Sequence, residues 1–155
     1  MNHLTGPLSL VGILSTAVVY GTDMFFLTVG RPAFRLASPS AATEVMGFIH
    51  SFSDARMPAW GIVSILSNLL LPLFGGSERR GFYFASLAML ILFVVIYNLL
   101  SKPINRRQTE AAKAGGRLDN ARELQASWDR SLWIRTSLLV ASLLTQGLAL
   151  LAASA

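Results

Sequence analysis

The chain has 155 residues, of which 53% are hydrophobic and 14% charged, and its mean hydropathy is +0.53. A soluble domain of this size usually carries about a quarter charged residues, so the composition argues against one. The net charge is +5, which we attribute to membrane orientation and lipid contact and not to nucleic-acid binding. The absence of cysteine excludes disulfides, thiolate nucleophiles and cysteine-ligated zinc or iron–sulfur centres.

Four long apolar stretches divide the chain: Pro7–Val29, Pro58–Phe74, Phe82–Leu100 and Leu132–Ala153. A helix needs roughly 20 apolar residues to cross the hydrocarbon, and the second stretch reaches this length by extending upstream through Val45–Met57. Lipid leaves unpaired backbone groups unsatisfied, so these stretches are expected to be helices. The fold prediction is an all-α integral membrane four-helix bundle, a single domain over residues 1–155.

Lysine and arginine are distributed unevenly between the two sides of this predicted bundle. Arg79 and Arg80 lie on one side. The positive-inside rule then places the first and third loops in the cytoplasm and both termini on the other side. We expect a bacterial inner membrane, with the basic face against membrane lipids. The loops and flanks predicted to be cytoplasmic contain Arg31, Arg35, Arg56, Lys102, Arg106, Arg107, Lys113, Arg117, Arg122, Arg130 and Arg135.

The first half of the chain contains several predicted helix boundaries. Arg31-Pro32 is expected to stop the first helix, because proline lacks the N–H that continues the backbone ladder. Ser38-Pro39-Ser40 is expected to form a turn, and Ser40 or Thr43 is expected to cap the second helix. This helix begins as an amphipathic segment, and Pro58 is expected to kink it. Pro72 and Gly75-Gly76 end it. Glu78-Arg79-Arg80 are expected to form a tight polar turn.

The second half contains the strongly charged segment. The third helix is expected to close at Ser101–Asn105. Acidic and basic residues alternate over Arg106–Ser127, which predicts a charged helical cytoplasmic loop of two short helices broken at Gly115-Gly116. Trp128 and the residues after it open the fourth helix.

Ionisable residues lie near the predicted cytoplasmic ends of several helices, so antiparallel threading places them at similar depth. Such groups are costly in a membrane and tend to face a cavity or a partner. The sequence therefore predicts a polar pocket in the cytoplasmic half of the bundle, roofed by the third loop. Its ionisable members are Asp23, His50, Asp54, Arg56, Arg130 and Arg135. Other polar and aromatic residues expected in this layer are Asn98, Asn105, Trp128 and Trp133.

Spacing links some of these residues. His50 and Asp54 are four residues apart and share a helix face, so Asp54 is expected to orient His50 or hold its charge. Arg135 is expected to pair with Asp23 or Asp54, or to clamp an acidic substrate. Plainer interpretations stay open: a structural histidine, a structural ion pair with Asp23, and interfacial tryptophans. For His50 the functional alternatives are acid–base work and metal or haem ligation.

The layout also resembles a known family. It is similar to that of the anthrone-oxygenase-like membrane proteins in four features. These are four helices in about this length, Pro103-Ile104-Asn105 after the third helix, a charged helical loop, and a fourth helix whose start contains tryptophan and arginine and ends in Arg135-Thr136. The resemblance implies oxygenation of polycyclic anthrones to anthraquinones, and carries over to Asn105, Trp128 and Arg135. Relatives have a histidine just before the arginine, where this chain has Leu132-Trp133, so His50 would supply any metal or acid–base role.

The functional hypothesis is a small membrane oxidoreductase or oxygenase acting on an apolar aromatic or quinone-like molecule. His50 or Asp54 would remove a proton and Arg135 would stabilise the resulting enolate-like oxygen, with haem on His50 as the cofactor-dependent variant. The alternatives are a non-catalytic scaffold or accessory subunit, and a lipid- or ligand-binding protein that uses the basic face. The predicted substrate-binding residues are Asp23, Asn105, Trp128 and Trp133.

Homo-oligomerisation is also expected, because four helices of this length enclose little interior. Small residues let helices approach closely in lipid. The candidate faces for a second copy are Gly12–Ser15–Thr16 and Gly61–Ser64.

Overall fold

The computed structural model describes residues 3–115 and 118–152, and these are helical without any strand. Gly116 and Arg117 of the predicted third loop lie outside these ranges. The helices are α1 (Thr5–Phe25), α2 (Arg31–Leu36), α3 (Pro39–Phe74), α4 (Ser77–Ile96), α5 (Lys102–Lys113) and α6 (Ala121–Leu151). Two π-helical turns, Phe26–Gly30 and Tyr97–Ser101, join α1 to α2 and α4 to α5.

The helices form four rods, each long and apolar enough to span a membrane: Thr5–Leu36, Pro39–Phe74, Ser77–Lys113 and Ala121–Leu151. The rods contain 31 to 37 residues. At about 1.5 Å per residue they measure about 46 to 55 Å, longer than the roughly 30 Å of bilayer hydrocarbon. The predicted all-α membrane bundle is confirmed, and the helices extend beyond its apolar part.

The extensions gather at one end of the bundle, which we call the charged end: α2, α5 and the first turns of α3 and α6. α5 packs along α3, where Thr109 donates from Oγ1 to the Gly47 carbonyl at 3.0 Å. Gly47 is required here, because a Cβ would overlap the Gln108 carbonyl. The charged connection is helical as predicted, but its two parts continue α4 and α6 and are not two separate short helices.

The prediction that Arg31-Pro32 stops the first helix is wrong. The Arg31 N–H bonds to the Phe26 carbonyl across a π turn, and Pro32 then occupies the first turn of α2. There its missing N–H breaks no bond inside α2. The third rod repeats this arrangement: the Lys102 N–H bonds to the Tyr97 carbonyl, directly before Pro103. The third helix therefore does not close at Ser101–Asn105 either.

Other predicted boundaries differ from the structure by less. Ser38, and not Ser40 or Thr43, caps α3: its hydroxyl accepts from the Ala41 N–H at 3.2 Å. Pro58 lies inside the uninterrupted α3, together with Pro72. In membrane helices such prolines are tolerated because neighbouring groups satisfy the freed backbone. Near the end of α3, Arg80 donates from Nε at 3.1 Å to the Pro72 carbonyl, one of the last carbonyls of the helix, which have no partner within it. The second rod ends at Phe74, before Gly75, as predicted. Glu78-Arg79-Arg80 form the first turn of α4 and not a separate turn.

The interior of the bundle is rich in small polar residues, while many large apolar side chains face outward. α3 packs against α1 and α4, and α6 packs against α4 and α1, so each helix has two main neighbours in the ring. Gln146 on α6 is a buried junction of this ring. Its Nε2 lies 3.0 Å from Thr16 Oγ1 on α1, 3.0 Å from Ser86 Oγ on α4 and 3.1 Å from Ser142 Oγ.

The small-residue face of α1 serves this internal packing. Thr16 Oγ1 lies 2.6 Å from Ser64 Oγ on α3. A Cβ at Gly12 would lie 3.1 Å from Ser67 Cβ, so a glycine lets α1 approach α3. Gly12, Ser15, Thr16 and Ser64 are buried within one chain, so the face Gly12–Ser15–Thr16 is used for internal packing. Of the face Gly61–Ser64, Gly61 is half-buried, and homo-oligomerisation stays a prediction.

Candidate functional site

A cavity of about 330 Å³ lies where the apolar part of the bundle meets the charged end. Three irregularities of the helical backbone surround it. The two π turns contribute Phe26, Tyr97 and Asn98 to its lining. The third irregularity is Pro58 on α3, which lacks the N–H that would bond to the Asp54 carbonyl. Because π-helical turns inside α-helices occur frequently at functional sites, this is the strongest candidate site on the described chain.

The cavity brings together most of the predicted site residues. Its remaining lining is mainly apolar and includes Phe26, Met57, Ile65 and Phe93. An apolar pocket with a few convergent polar groups is typical of a small-molecule site. The predicted residues that line it are Asp23, His50, Asp54, Asn98, Asn105, Trp128 and Arg135.

Trp133 does not line this cavity, so the structure separates it from the other predicted substrate-binding residues. Its side chain is 53% exposed and lines a separate surface groove at the charged end. The reason is helical periodicity. At about 100° per residue, Arg135 returns to the face of Trp128 after seven residues, whereas Trp133 is turned by about 140° after five. Arg56 and Arg130 are also exposed and lie outside the cavity lining.

Arg135 and Asp23 form a buried two-point ion pair across α6 and α1. Arg135 Nε donates to Asp23 Oδ2 at 3.2 Å, and a terminal nitrogen donates to Oδ1 at 3.0 Å. The guanidinium also packs near the rings of Trp128, at 5.5 Å, and Tyr97, at 5.7 Å. Of the two predicted partners, Arg135 therefore takes Asp23. The pairing satisfies a buried cation that would otherwise be costly.

Asp54 is held by residues from neighbouring helices. Tyr97 donates its hydroxyl to Asp54 Oδ1 at 2.6 Å, and Asn105 donates from Nδ2 to the same oxygen at 2.9 Å. Trp128 in turn donates its indole N–H to Asn105 Oδ1 at 2.9 Å. Within the described residues Asp54 Oδ2 accepts no hydrogen bond. One carboxylate oxygen is thus fixed, and the other remains for a molecule in the cavity.

His50 does not form the predicted pair with Asp54. Asp54 is engaged by Tyr97 and Asn105, and among the described residues no hydrogen bond joins it to His50. The imidazole packs against Trp128 with ring centroids 5.4 Å apart, and Gln108 lies beside it. His50 is 3% exposed. Its Nε2 has less than 1 Å² of accessible surface and no hydrogen-bond partner among the described residues.

These contacts do not fit the predicted haem ligation. An iron atom bound at Nε2 of His50 would need open space there, but that nitrogen is enclosed by protein. In residues 3–115 and 118–152 no cluster of three or more His, Asp or Glu side chains is arranged to hold a metal ion. We therefore derive no step through haem at His50.

Tyr97 is the main site residue that sequence reasoning missed. It ends an apolar stretch, where a tyrosine is ordinarily assigned to the membrane interface. A usable signal was its position next to Asn98, which was already expected in the polar layer. The π turn that begins at Tyr97 was not foreseen.

The cavity opens laterally. The exposed members of its lining are Pro58 and Ile62 on α3, and Asn98 and Lys102 on the rod that contains α4 and α5. Ile62 is 57% exposed. The mouth therefore lies on the outer surface of the bundle between these two rods, beside an apolar stretch of each, and suits a ligand that arrives through lipid.

Comparisons of the chain with protein-family models, with curated proteins and with solved structures give no match.

Proposed function

We propose that the protein is a small membrane oxygenase that takes an apolar, flat aromatic molecule from the lipid and oxidises an activated carbon, as the resemblance to anthrone-oxygenase-like proteins implies. The observation that carries this proposal is the Asp54 carboxylate. Oδ1 is fixed by Tyr97 and Asn105, while Oδ2 is unengaged among the described residues at the edge of a mainly apolar cavity. An oriented carboxylate in such a site is suited to general-base work.

The chemistry needs a base and a cation. In an anthrone the CH₂ group between the rings is acidic, because its carbanion is conjugated with the carbonyl. Asp54 Oδ2 takes one proton, and the negative charge moves to the carbonyl oxygen, where Arg135 stabilises it. Arg135 uses Nε and one terminal nitrogen for Asp23, which leaves N–H groups of the guanidinium for the substrate.

The carbanion then reacts with dioxygen, which is the oxidant. Addition gives a peroxide anion, which takes a proton from Asp54 to become a hydroperoxide. Loss of the second C–H proton breaks the O–O bond and releases hydroxide, which combines with that proton. The balance is CH₂ plus O₂ to C=O plus H₂O, with Asp54 returned to its starting state.

The proposed location is the bacterial inner membrane, with the charged end in the cytoplasm. Four membrane-spanning rods and the concentration of arginine and lysine at the charged end support it. The cavity would then lie in the cytoplasmic half of the membrane.

The test is oxygen-dependent conversion of anthrone to anthraquinone by the purified protein, measured by chromatography against a protein-free background. We expect Asp54→Asn to lower the rate by about 100-fold or more, since a general base contributes about that much. Glu110→Gln is the matched control, because it removes an exposed carboxylate on α5. A wild-type rate equal to the background, or an Asp54→Asn rate equal to wild type, would refute the proposal.

The second candidate is a non-catalytic scaffold or accessory subunit. The Gln146 junction, which joins α1, α4 and α6, and the Asp23–Arg135 pair favour it, because both act as structural ties. This candidate predicts that Asp54→Asn changes the stability of the protein and has no effect on anthrone turnover. It also predicts that a larger membrane protein co-purifies with the chain.

A further inference from the structure

A second concave site lies at the charged end, outside the cavity. This groove of about 380 Å³ runs between α2 and the first turns of α3 and α6. We call it the basic groove, and its charged lining residues are Arg31, Arg35, Arg122, Arg130 and Asp129. Four arginines and one aspartate give the lining a formal charge of +3.

The positive charge in the basic groove is only partly compensated. Arg31 donates from Nε to Asp129 Oδ2 at 2.9 Å. Among the described residues, Arg35, Arg122 and Arg130 take part in no ion pair, and all three are exposed. Three guanidinium groups of the described residues therefore line one concave surface without a carboxylate partner, since Asp129 is paired with Arg31. Guanidinium is the side chain best suited to bind phosphate by paired hydrogen bonds.

The backbone adds to this preference for an anion. Residues from the first turns of two long helices line the groove: Pro39 and Thr43 of α3, and Ala121 of α6. The start of each helix carries the positive end of its dipole, which favours an anion nearby. At α3 the Ser38 side chain accepts from the Ala41 N–H; at α6 the Asn120 side chain makes no capping bond, and the Ala121 N–H bonds to the Leu118 carbonyl.

The position of the groove indicates the source of the anion. Trp133, which is 53% exposed, lines it where the apolar stretch of α6 begins, and Leu36 at the end of α2 is 91% exposed. Tryptophan is enriched at the headgroup level of membranes. Basic pockets between membrane helices bind anionic lipid headgroups. We propose that the basic groove binds the phosphodiester headgroup of an anionic phospholipid, whose acyl chains extend along the apolar surface beside Trp133.

The test measures lipid binding to the full chain in detergent by native mass spectrometry. The probes are short-chain phosphatidylglycerol, short-chain phosphatidylcholine, and glycerophosphoglycerol, which is the headgroup without acyl chains. We expect phosphatidylglycerol to bind at least about tenfold more tightly than either comparison. Equal binding of the two lipids would refute an anion site, and equal binding of glycerophosphoglycerol would refute the lipid as its source.

Two triple variants locate the site. R35A/R122A/R130A removes three groove cations and is expected to weaken phosphatidylglycerol binding by at least about tenfold. R106A/R107A/K113A removes the same formal charge from α5, outside the groove lining, and should keep wild-type binding. Equal losses in both would mean that general charge, and not this groove, holds the lipid. If the first variant does not fold, R122A alone is compared with R106A, and equal losses again refute the proposal.

Discussion

Trp128 on α6 donates its indole N–H to Asn105 Oδ1 on α5 at 2.9 Å, and this bond decides which way the Asn105 amide faces. Because its oxygen is held by Trp128, the amide nitrogen is turned towards Asp54, where it donates to Oδ1 at 2.9 Å. Trp128 therefore orients the proposed base through Asn105. The arrangement ties α3, α5 and α6 together at the cavity.

This relay predicts a specific effect of removing the indole N–H. Trp128→Phe keeps an aromatic ring against Phe26, whose centroid lies 5.5 Å from that of Trp128, but leaves Asn105 free to rotate. We expect a loss of about 1 kcal/mol of transition-state stabilisation, or about fivefold in anthrone turnover. The control is Trp133→Phe, which alters a tryptophan outside the cavity. Equal losses in the two variants would contradict the relay.

The Arg135–Asp23 pair predicts a non-additive response. Asp23→Ala leaves the buried Arg135 charge without its partner, and we expect it to cost about 3 to 5 kcal/mol of unfolding free energy. Removal of both charges in D23L/R135L is expected to cost less than the single variant. Unfolding by sodium dodecyl sulfate measures each value. Glu110→Ala, at an exposed pair with Arg106, should change stability by less than about 1 kcal/mol.

The opposite result for the double variant would have a definite meaning. If D23L/R135L unfolds more easily than Asp23→Ala, the guanidinium contributes mainly through the rings of Tyr97 and Trp128 and not through the carboxylate.

Gly47 predicts how firmly α5 is attached to α3. A Cβ at this position would overlap the Gln108 carbonyl, so Gly47→Ala must displace α5, at an expected cost of about 1 to 3 kcal/mol. At Gly147 in α6 a Cβ would have no atom within 4 Å. Gly147→Ala should therefore stabilise the protein by about 0.5 to 1 kcal/mol, through helix propensity alone. Thermal unfolding compares the two, and equal effects would show that the close approach of α5 is dispensable.

The proposed orientation can be tested with single thiols, because the chain has no cysteine. Ala114→Cys lies exposed after α5 at the charged end, and Ser77→Cys lies exposed at the opposite end. In intact bacterial cells, a membrane-impermeant maleimide should label Ser77→Cys. It should label Ala114→Cys only after the cells have been permeabilised. The reverse pattern would place the charged end outside the cytoplasm.

The depth of the site was predictable from the sequence, but several contacts within it were not. Charged residues near the same ends of antiparallel apolar stretches lie at a similar depth in the membrane. This spacing predicts that Asp23, Asp54 and Arg135 belong to one polar pocket. Spacing along one helix misled at His50, because the hydrogen-bond partners of Asp54 come from the π turn Tyr97–Ser101 and from α5. Which side chain from a neighbouring helix reaches a carboxylate depends on packing that no local pattern contains.

Proline gave the clearest error in the predicted boundaries. The sequence indicates a helix end at Arg31-Pro32, because proline cannot continue an α-helical ladder, and a close of the third helix at Ser101–Asn105. The structure instead places a π turn before each proline and continues the rod. The choice between an end and a wider turn depends on the packing of the segment that follows, which here is α2 or α5.

A π turn also changes the direction in which every later side chain points. It contains one residue more than the corresponding α-helical turn, so the helix after it is rotated by about 100° relative to an uninterrupted one. Asn105 follows the turn Tyr97–Ser101 within α5 and reaches Asp54 in that rotated register. Tyr97–Ser101 thus acts as a one-residue insertion that joins two differently phased parts of one rod. A single deletion at Leu99 or Leu100 would restore the α-helical phase and turn Asn105 away from the carboxylate it holds.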